Sequence, residues 1–172
     1  MFVKWRMTTN PFTIGPDATV PEAIEVMQTK KVRKLPVMAG GKLVGVVSQS
    51  DIDRASPSAA TSFSAGEIAY LYSKLKVSKV MTRNPVTISP SALLEEAAIV
   101  MRNRRIEMLP VLDGDQLVGV ITESDILDAF IELNGAREKG TRLVIEADDR
   151  PGVMARLATI TGDFQANITH IA

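Results

Sequence analysis

The sequence contains no cysteine and a single histidine, His170. The first absence removes disulfides, thiolate zinc sites and cysteine nucleophiles together. The second leaves the histidine without the partners that a metal site or a Ser-His-Asp arrangement requires. Neither sign of charge is in excess: 20 Lys plus Arg balance 20 Asp plus Glu, so the chain lacks the long-range positive field of a general nucleic-acid binder. Long apolar runs are missing too. Nothing approaches the roughly 20 residues of a membrane span, and the opening MFVKWRMTTNPF has no apolar leader core. A cytoplasmic protein without nucleic-acid or membrane partners is the expectation. What remains, 45% hydrophobic residues in 172, is sufficient for a packed core and fits one domain or two small ones.

What is present is a repeat. Met7 and Met81, Thr13 and Thr87, Leu35 and Leu109, and Asp51 and Asp125 align without a gap at a constant offset of 74 residues. About half of the aligned positions are identical. Two copies, unlike a long array, imply a pair of similar units that complete one core by packing on each other. The pivot of each copy is GVVSQSD at 45–51, echoed by GVITESD at 119–125. There a β-branched run reaches Ser48 or Thr122, and three residues later Asp51 or Asp125 opens an apolar helix beginning at Ile52 or Ile126.

In chain order, a short strand is predicted at 12–14, stopped by Gly15 and Pro16. Thr19 stands three before Glu22, a capping-box spacing, and Val20, Ala23, Ile24 and Met27 give the apolar stripe of a helix. LPVM at 35–38 reads as a buried strand, Gly40-Gly41 as a tight turn and 42–48 as its hairpin partner, making the unit β-α-β-β-α. The second copy follows the same order: a strand at 86–88, a helix with Leu94, Ala97, Ala98 and Met101, strands at 109–112 and 116–122 around Asp113-Gly114, and a helix from Asp125 to about Leu133 with Asn134-Gly135 as its C-cap. Between the copies, 54–66 is a small, polar loop broken by Pro57, and 67–75 reads as a helix with Ile68, Leu71, Tyr72 and Leu75 on one face. After a charged spacer the tail reads as strand 141–147, turn 148–152, helix 153–160 and strand 166–171. A β-α-β piece of about 33 residues is too small to bury a core alone, so it is expected either to belong to a longer chain or to lean on another surface. The organisation is therefore unit 1 at 7–55, a linker with a helix at 56–78, unit 2 at 79–133 and the tail at 141–172.

The repeated pattern MTxNPxTIxPxA, EA, VM, LPV, LVGV and S/T-x-S-D resembles a tandem pair of CBS domains, the Bateman module, over residues 7–133. The tail, with Arg150-Pro151-Gly152 and Asn167-Ile168, is similar to the first half of an ACT domain, a small amino-acid-sensing fold. The combined order resembles CBS-ACT proteins of the acetoin-utilisation family. These resemblances imply an α/β (α+β) fold: two CBS units in pseudo-twofold arrangement, each a small sheet with flanking helices, followed by a partial ferredoxin-like ACT βαβ piece.

An ionised carboxylate accepts a hydrogen bond from each hydroxyl of a ribose diol, the role that Asp51 and Asp125 suit. Ser48 and Thr122 suit donation to a phosphate oxygen, helped by free amides of the helix beside them, and Ser50 and Ser124 add a second small hydroxyl. The resemblance implies shared clefts. One joins Asn10, Thr13, Gly15, Val32 and Lys34 to Val120, Thr122, Ser124 and Asp125; its twin joins Asn84, Thr87, Ser89, Ile106 and Met108 to Val46, Ser48, Ser50 and Asp51. Lys34 puts a cation where the twin has Met108, so the first site is expected to prefer a phosphorylated ligand and the second a nucleoside-like or thioether-bearing one. The implied ligand is an adenine nucleotide or adenosyl compound: AMP, ADP, ATP, NAD or S-adenosylmethionine. No catalytic or metal residue and no required cofactor is expected, and a homodimer acting on an unnamed regulated partner is implied.

Plainer roles stand beside these. An Asp at a helix start is ordinarily a cap worth about 1 kcal/mol. The basic runs Lys30-Lys31-Val32-Arg33-Lys34 and Arg102-Asn103-Arg104-Arg105 fall at helix C-termini, where cations meet the helix dipole favourably. Trp5 reads equally as a dimer anchor and as a boundary residue, and Arg150-Pro151-Gly152 equally as a turn with Pro near the first helical position. Against the sensor reading stand a ligand-free structural or dimerisation platform and an enzyme acting on nucleotides, the last without any constellation to carry it.

Overall fold

A computed structural model describes residues 1–55 and 64–171. Most of the loop predicted around Pro57 lies outside the described residues. Two compact units make up the chain, Met1–Ile126 and Leu127–Ala172.

The first unit holds both copies of the repeat. After a 3-10 turn at Val3–Trp5 come β1 (Thr8–Thr9), α1 (Val20–Lys30), β2 (Lys34–Ala39), β3 (Lys42–Ser48), α2 (Gln49–Ala55), α3 (Ala65–Lys74) and α4 (Val77–Val80). The second copy supplies β4 (Thr82–Arg83), α5 (Leu94–Arg104), β5 (Met108–Asp113), β6 (Gln116–Thr122) and α6 (Glu123–Leu133), which crosses the division between the units. The strands form two three-stranded sheets, β1-β6-β5 and β2-β3-β4.

Local chemistry explains the elements. The Thr19 hydroxyl accepts from the Glu22 amide while the Glu22 carboxylate takes the Thr19 amide at 2.6 Å, the expected capping box of α1. That amide holds the Glu22 carboxyl below its usual range. Val20, Ala23 and Met27 form the buried face of α1, and Leu94, Ala97 and Met101 that of α5. The β2–β3 hairpin closes through Gly40 and Gly41, both at positive φ, and the first core gathers Leu35, Val37, Val47 and Ile52 around α1. The corresponding residues Leu109, Val111 and Ile121 are equally buried.

The third strand of each sheet comes from the other copy. β1 pairs antiparallel with β6, Thr8 opposite Val120, and β4 pairs with β3, Thr82 opposite Val46. The segments just before them cross as well: the Val3 amide donates to Ala92 O at 2.9 Å, and the Val77 amide to Ala18 O at 2.8 Å. This corrects the predicted strands at 12–14 and 86–88. Ile14 and Ile88 each make a single parallel bridge, to Val37 and Val111 of their own copy. Asn10 and Asn84, with φ of 50° and 48°, turn the chain just after β1 and β4, so these segments leave the lent strands instead of extending them. The motif helices also start earlier than predicted, at Gln49 and Glu123, so that Asp51 and Asp125 are third in their helices.

In the second unit the predicted tail helix is present and longer, α7 at Val153–Asp163, and Gly135 ends α6 at a φ of 59°, its amide donating to Glu132 O. The two predicted tail strands are not formed: 141–150 and 166–171 carry no regular structure. A strand needs a neighbour's backbone groups, and Leu143, Val144 and Ile145 are exposed instead, Val144 at 92%. Among the described residues, no helix is long and apolar enough to cross a membrane.

The strand exchange depends on two glycines. A Cβ at Gly45 would stand 2.9 Å from Thr82 O and 2.7 Å from Met81 Sδ; at Gly119 it would stand 2.8 Å from Thr8 O and from Met7 Sδ. Met can move aside, but a laddered carbonyl cannot. Gly45→Ala and Gly119→Ala are each expected to destabilise the protein by about 1–3 kcal/mol, read as a lower denaturant midpoint. Gly66→Ala, which meets nothing within 4 Å, is the control and should not lower it.

Candidate ligand site between the two sheets

The exchange brings the exit of β1 and the entry of β2 opposite the entry of β5 and the exit of β6. Between them lies a cavity of about 680 Å³. Thr8, Asn10, Pro11, Phe12, Lys31, Val32, Arg33, Lys34 and Pro36 line it from the first copy; Glu107, Met108, Val120, Thr122, Glu123 and Ser124 line it from the second. A smaller hollow of about 390 Å³ is lined, among the described residues, by Gly66, Glu67, Tyr70 and Leu71 of α3.

Six residues of the first predicted set, Asn10, Val32, Lys34, Val120, Thr122 and Ser124, line this cavity, and Thr13, Gly15 and Asp125 do not. Met108, assigned to the twin, lines it as well. Lys34, which opens β2, and Met108, which opens β5, thus share the wall of one cavity. For the twin set, β4 lies beside β3 at Val46, Ser48 is buried, and Asn84, Thr87 and Ser89 are exposed.

Each motif aspartate first serves its own helix. Asp125 Oδ2 accepts from the Thr122 amide at 2.8 Å and the Thr122 hydroxyl at 2.7 Å, and the Asp125 amide returns a bond to Thr122 Oγ1 at 3.3 Å. Asp51 and Ser48 repeat the arrangement at 2.9, 2.5 and 3.1 Å. S/T-x-x-D is thus a capping box with a shorter acid. The Ser48 and Thr122 hydroxyls, expected to donate to a phosphate, donate to the Asp51 and Asp125 carboxylates in this structure, as do the amides of the same two residues. The Glu123 amide is likewise used, by Glu107 O at 3.1 Å. Ser124, in the first turn of α6, lines the cavity.

The two aspartates differ in their second oxygen. Asp51 Oδ1 is taken by the Arg54 guanidinium one turn along α2. The offset puts Asp128 at that place in α6, and it pairs with Arg137 instead, so Asp125 Oδ1 carries no hydrogen bond among the described residues.

Half of the lining residues that sequence reasoning missed are charged. Lys34 Nζ donates to Glu107 Oε2 at 2.6 Å across the cavity, and this bond, followed by the ammonium charge, holds the Glu107 carboxyl below its usual range. Lys31, Arg33 and Glu123 complete the charged lining. A signal for Glu107 was available: it occupies the position of Arg33 in the other copy, and opposite charges at one repeat position invite pairing across a pseudo-twofold. Among the described residues, no group of three acidic or histidine side chains is arranged to hold a metal ion.

A family model described as the CBS domain matches residues 3–58 and 77–132. The chain belongs to the CBS domain family. The matched spans begin at Val3 and Val77, two of the residues whose amides cross between the copies. This CBS pair is 33% identical over 135 residues to a CBS domain-containing protein of Dictyostelium discoideum, covering 77% of the chain and 93% of the relative. It is 35% identical to inosine-5'-monophosphate dehydrogenase of Methanocaldococcus jannaschii, covering 78% of the chain but only 25% of that enzyme. Among solved structures, a protein ascribed to acetoin utilization from Vibrio cholerae superposes with a TM-score of 0.66 at 31% identity, over 83% of this chain and 98% of that one. CBSX2 in complex with AMP gives 0.62 at 33% identity, over 76% and 97%. A CBS domain pair in complex with 5'-methylthioadenosine and S-adenosyl-L-methionine gives 0.63 at 26%, over 80% and 98%.

Two outcomes follow for the ligand-free protein. Thr122→Val removes the oxygen that caps α6 and should cost about 1 kcal/mol in chemical denaturation, whereas Asp125→Asn, which keeps an acceptor for the Thr122 amide, should cost less. The depressed pKa of Glu107 means that its pair with Lys34 contributes stability above the ordinary glutamate range and loses it as the pH falls through the folded value. The stability difference between the wild type and Lys34→Met should therefore shrink on acidification, and high salt should flatten the trend. A pH-independent difference would show that Glu107 titrates without regard to Lys34.

Proposed function

We propose that this CBS pair is a regulatory module that binds an adenosyl ligand, AMP foremost, in the cavity around Lys34, without chemistry. The observation that carries this reading is the make-up of that cavity. Pro11, Val32, Pro36, Met108 and Val120 offer apolar lining for a base, and Lys31, Arg33 and Lys34 offer cations for a phosphate. Its volume falls within the ordinary range for small-molecule sites, about 300–1,000 Å³. Ser124 and Thr122 supply hydroxyls, and Asp125, next along the helix, has the unengaged oxygen that a ribose hydroxyl requires. Relatives of similar fold hold AMP, and 5'-methylthioadenosine with S-adenosyl-L-methionine, which supports the same ligand class. ADP, ATP, NAD and S-adenosylmethionine are the other members of that class to be tried.

The twin site around Asp51 is the weaker one in this reading, because the Arg54 guanidinium already holds the oxygen a ribose would need. One ligand per chain is the expected stoichiometry. Regulation then requires that the ligand favour one arrangement of the two copies over another, since equal affinity for both would shift nothing. The tail's likeness to half an ACT domain belongs to the same reading, its sheet to be completed by strands from elsewhere.

A platform reading has one observation in its favour. Leu127, Phe130 and Leu133 recur at helical spacing along α6 and are exposed, as a homodimer contact would require. Calorimetric titration with AMP, ATP, NAD and S-adenosylmethionine, backed by thermal shift, separates the two readings. The sensor reading expects one binding event per chain, with AMP weakened about tenfold or more by Lys34→Met, by loss of a charge-assisted contact, and adenosine little changed. No heat and no stabilisation from any adenosyl ligand would leave the platform.

A further inference from the structure

The best-placed cation of the cavity is already occupied. Lys34 Nζ lies 2.6 Å from Glu107 Oε2, and the partners are unequal: the Lys34 side chain is 22% exposed, the Glu107 side chain 68%. The cation is thus held within the wall while the anion reaches in from the rim. Glu107 comes from the other copy, 73 residues away in sequence, and its backbone is pinned because its carbonyl accepts from the Glu123 amide at the start of α6. Its side chain can leave without disturbing that bond. The contact is also not a by-product of the repeat, because Arg33 stands at the corresponding position of the first copy. A carboxylate on Lys34 fills the place where an anionic ligand oxygen would sit.

We propose that Glu107 is a built-in occupant of the Lys34 anion subsite, displaced when a phosphate or pyrophosphate group enters, and that it sets how strongly the site distinguishes phosphorylated from unphosphorylated ligands. This deepens the reading of the cavity as a ligand site and rests on it. A tethered carboxylate competes at an effective concentration that no free acetate reaches. An anionic ligand therefore binds only to the fraction of molecules in which Lys34 is released, and its apparent affinity falls by that fraction. A neutral ligand that makes no use of Lys34 escapes the competition. A phosphate wins because it carries more charge and more acceptor oxygens than the carboxylate it replaces. A single-charge acid of similar reach does not.

The test titrates the full chain and Glu107→Gln with pyrophosphate, AMP and adenosine by calorimetry, with thermal unfolding confirming that the variant is folded. Glu107→Gln keeps the size of the side chain and removes its charge. It should tighten pyrophosphate and AMP about three- to tenfold, the scale of a partly exposed ion pair, and leave adenosine within about twofold. Unchanged or weaker binding of both anions overturns the proposal, as does equal tightening of adenosine, which would mean that the side chain merely obstructs the cavity. The two readings fail separately. If AMP and adenosine bind and the variant changes neither, the adenosyl site stands and the role of Glu107 falls. If the variant tightens pyrophosphate while neither AMP nor adenosine binds more strongly than pyrophosphate, the Glu107 subsite stands and the adenosyl reading falls. No binding of any probe to either protein overturns both.

Discussion

Each sheet of this protein is completed by two residues lent from the other copy of the repeat. β1 lies on β6 and β4 on β3, and the backbone amides of Val3 and Val77 carry the exchange back to the carbonyls of Ala92 and Ala18. Backbone groups left without partners in a packed interior are costly, so the two copies are bound to each other by an obligation stronger than side-chain complementarity. Gly45 and Gly119 are where the lent strands come closest, and no side chain larger than hydrogen leaves that approach intact. The cavity follows from the same exchange, because the chain leaving β1 has to pass across the entry of β2 and the start of β5.

Much of this was legible because the repeat carries local chemistry in register. The capping box at Thr19 and Glu22, the stripe Val20, Ala23 and Met27, the LPV strands and the Gly40-Gly41 turn all depend on residues close in sequence, and all formed as read. The exchange itself was not legible. Ile14 lies in the core, but nothing in the local pattern says which strand will pair with Thr8. The turn at Asn10 decides that, and a left-handed asparagine leaves no mark on an apolar pattern. The tail strands failed for the complementary reason: LVI is apolar enough for a strand, yet the described chain offers its backbone no neighbour.

At the candidate site, residue types were easier to read than their allegiances. The S/T-x-x-D spacing drew attention as a ribose-reading motif, while its observed bonds are those of a helix cap. The roles are compatible, because a carboxylate has two oxygens and the cap uses one. What separates the copies is three residues further on, where Arg54 claims the spare oxygen and Asp128 does not. Met108, assigned by repeat symmetry to the twin cleft, lines this cavity as well for a related reason. A pseudo-twofold that brings β2 and β5 side by side places symmetry-related residues in one cavity.

The exchange also bears on how the chain is made. A ribosome releases β3 well before β4, so the first copy must wait with an open sheet edge and without Val77 in its core until residue 83 has emerged. β1 waits longer still, for β6 at 116–122. An unpaired edge is a template for wrong pairing, and here the edge of β3 persists until β4 has emerged. The first copy is thus a folding unit in sequence only: its sheet and its core are completed by residues 77–83, which belong to the start of the second.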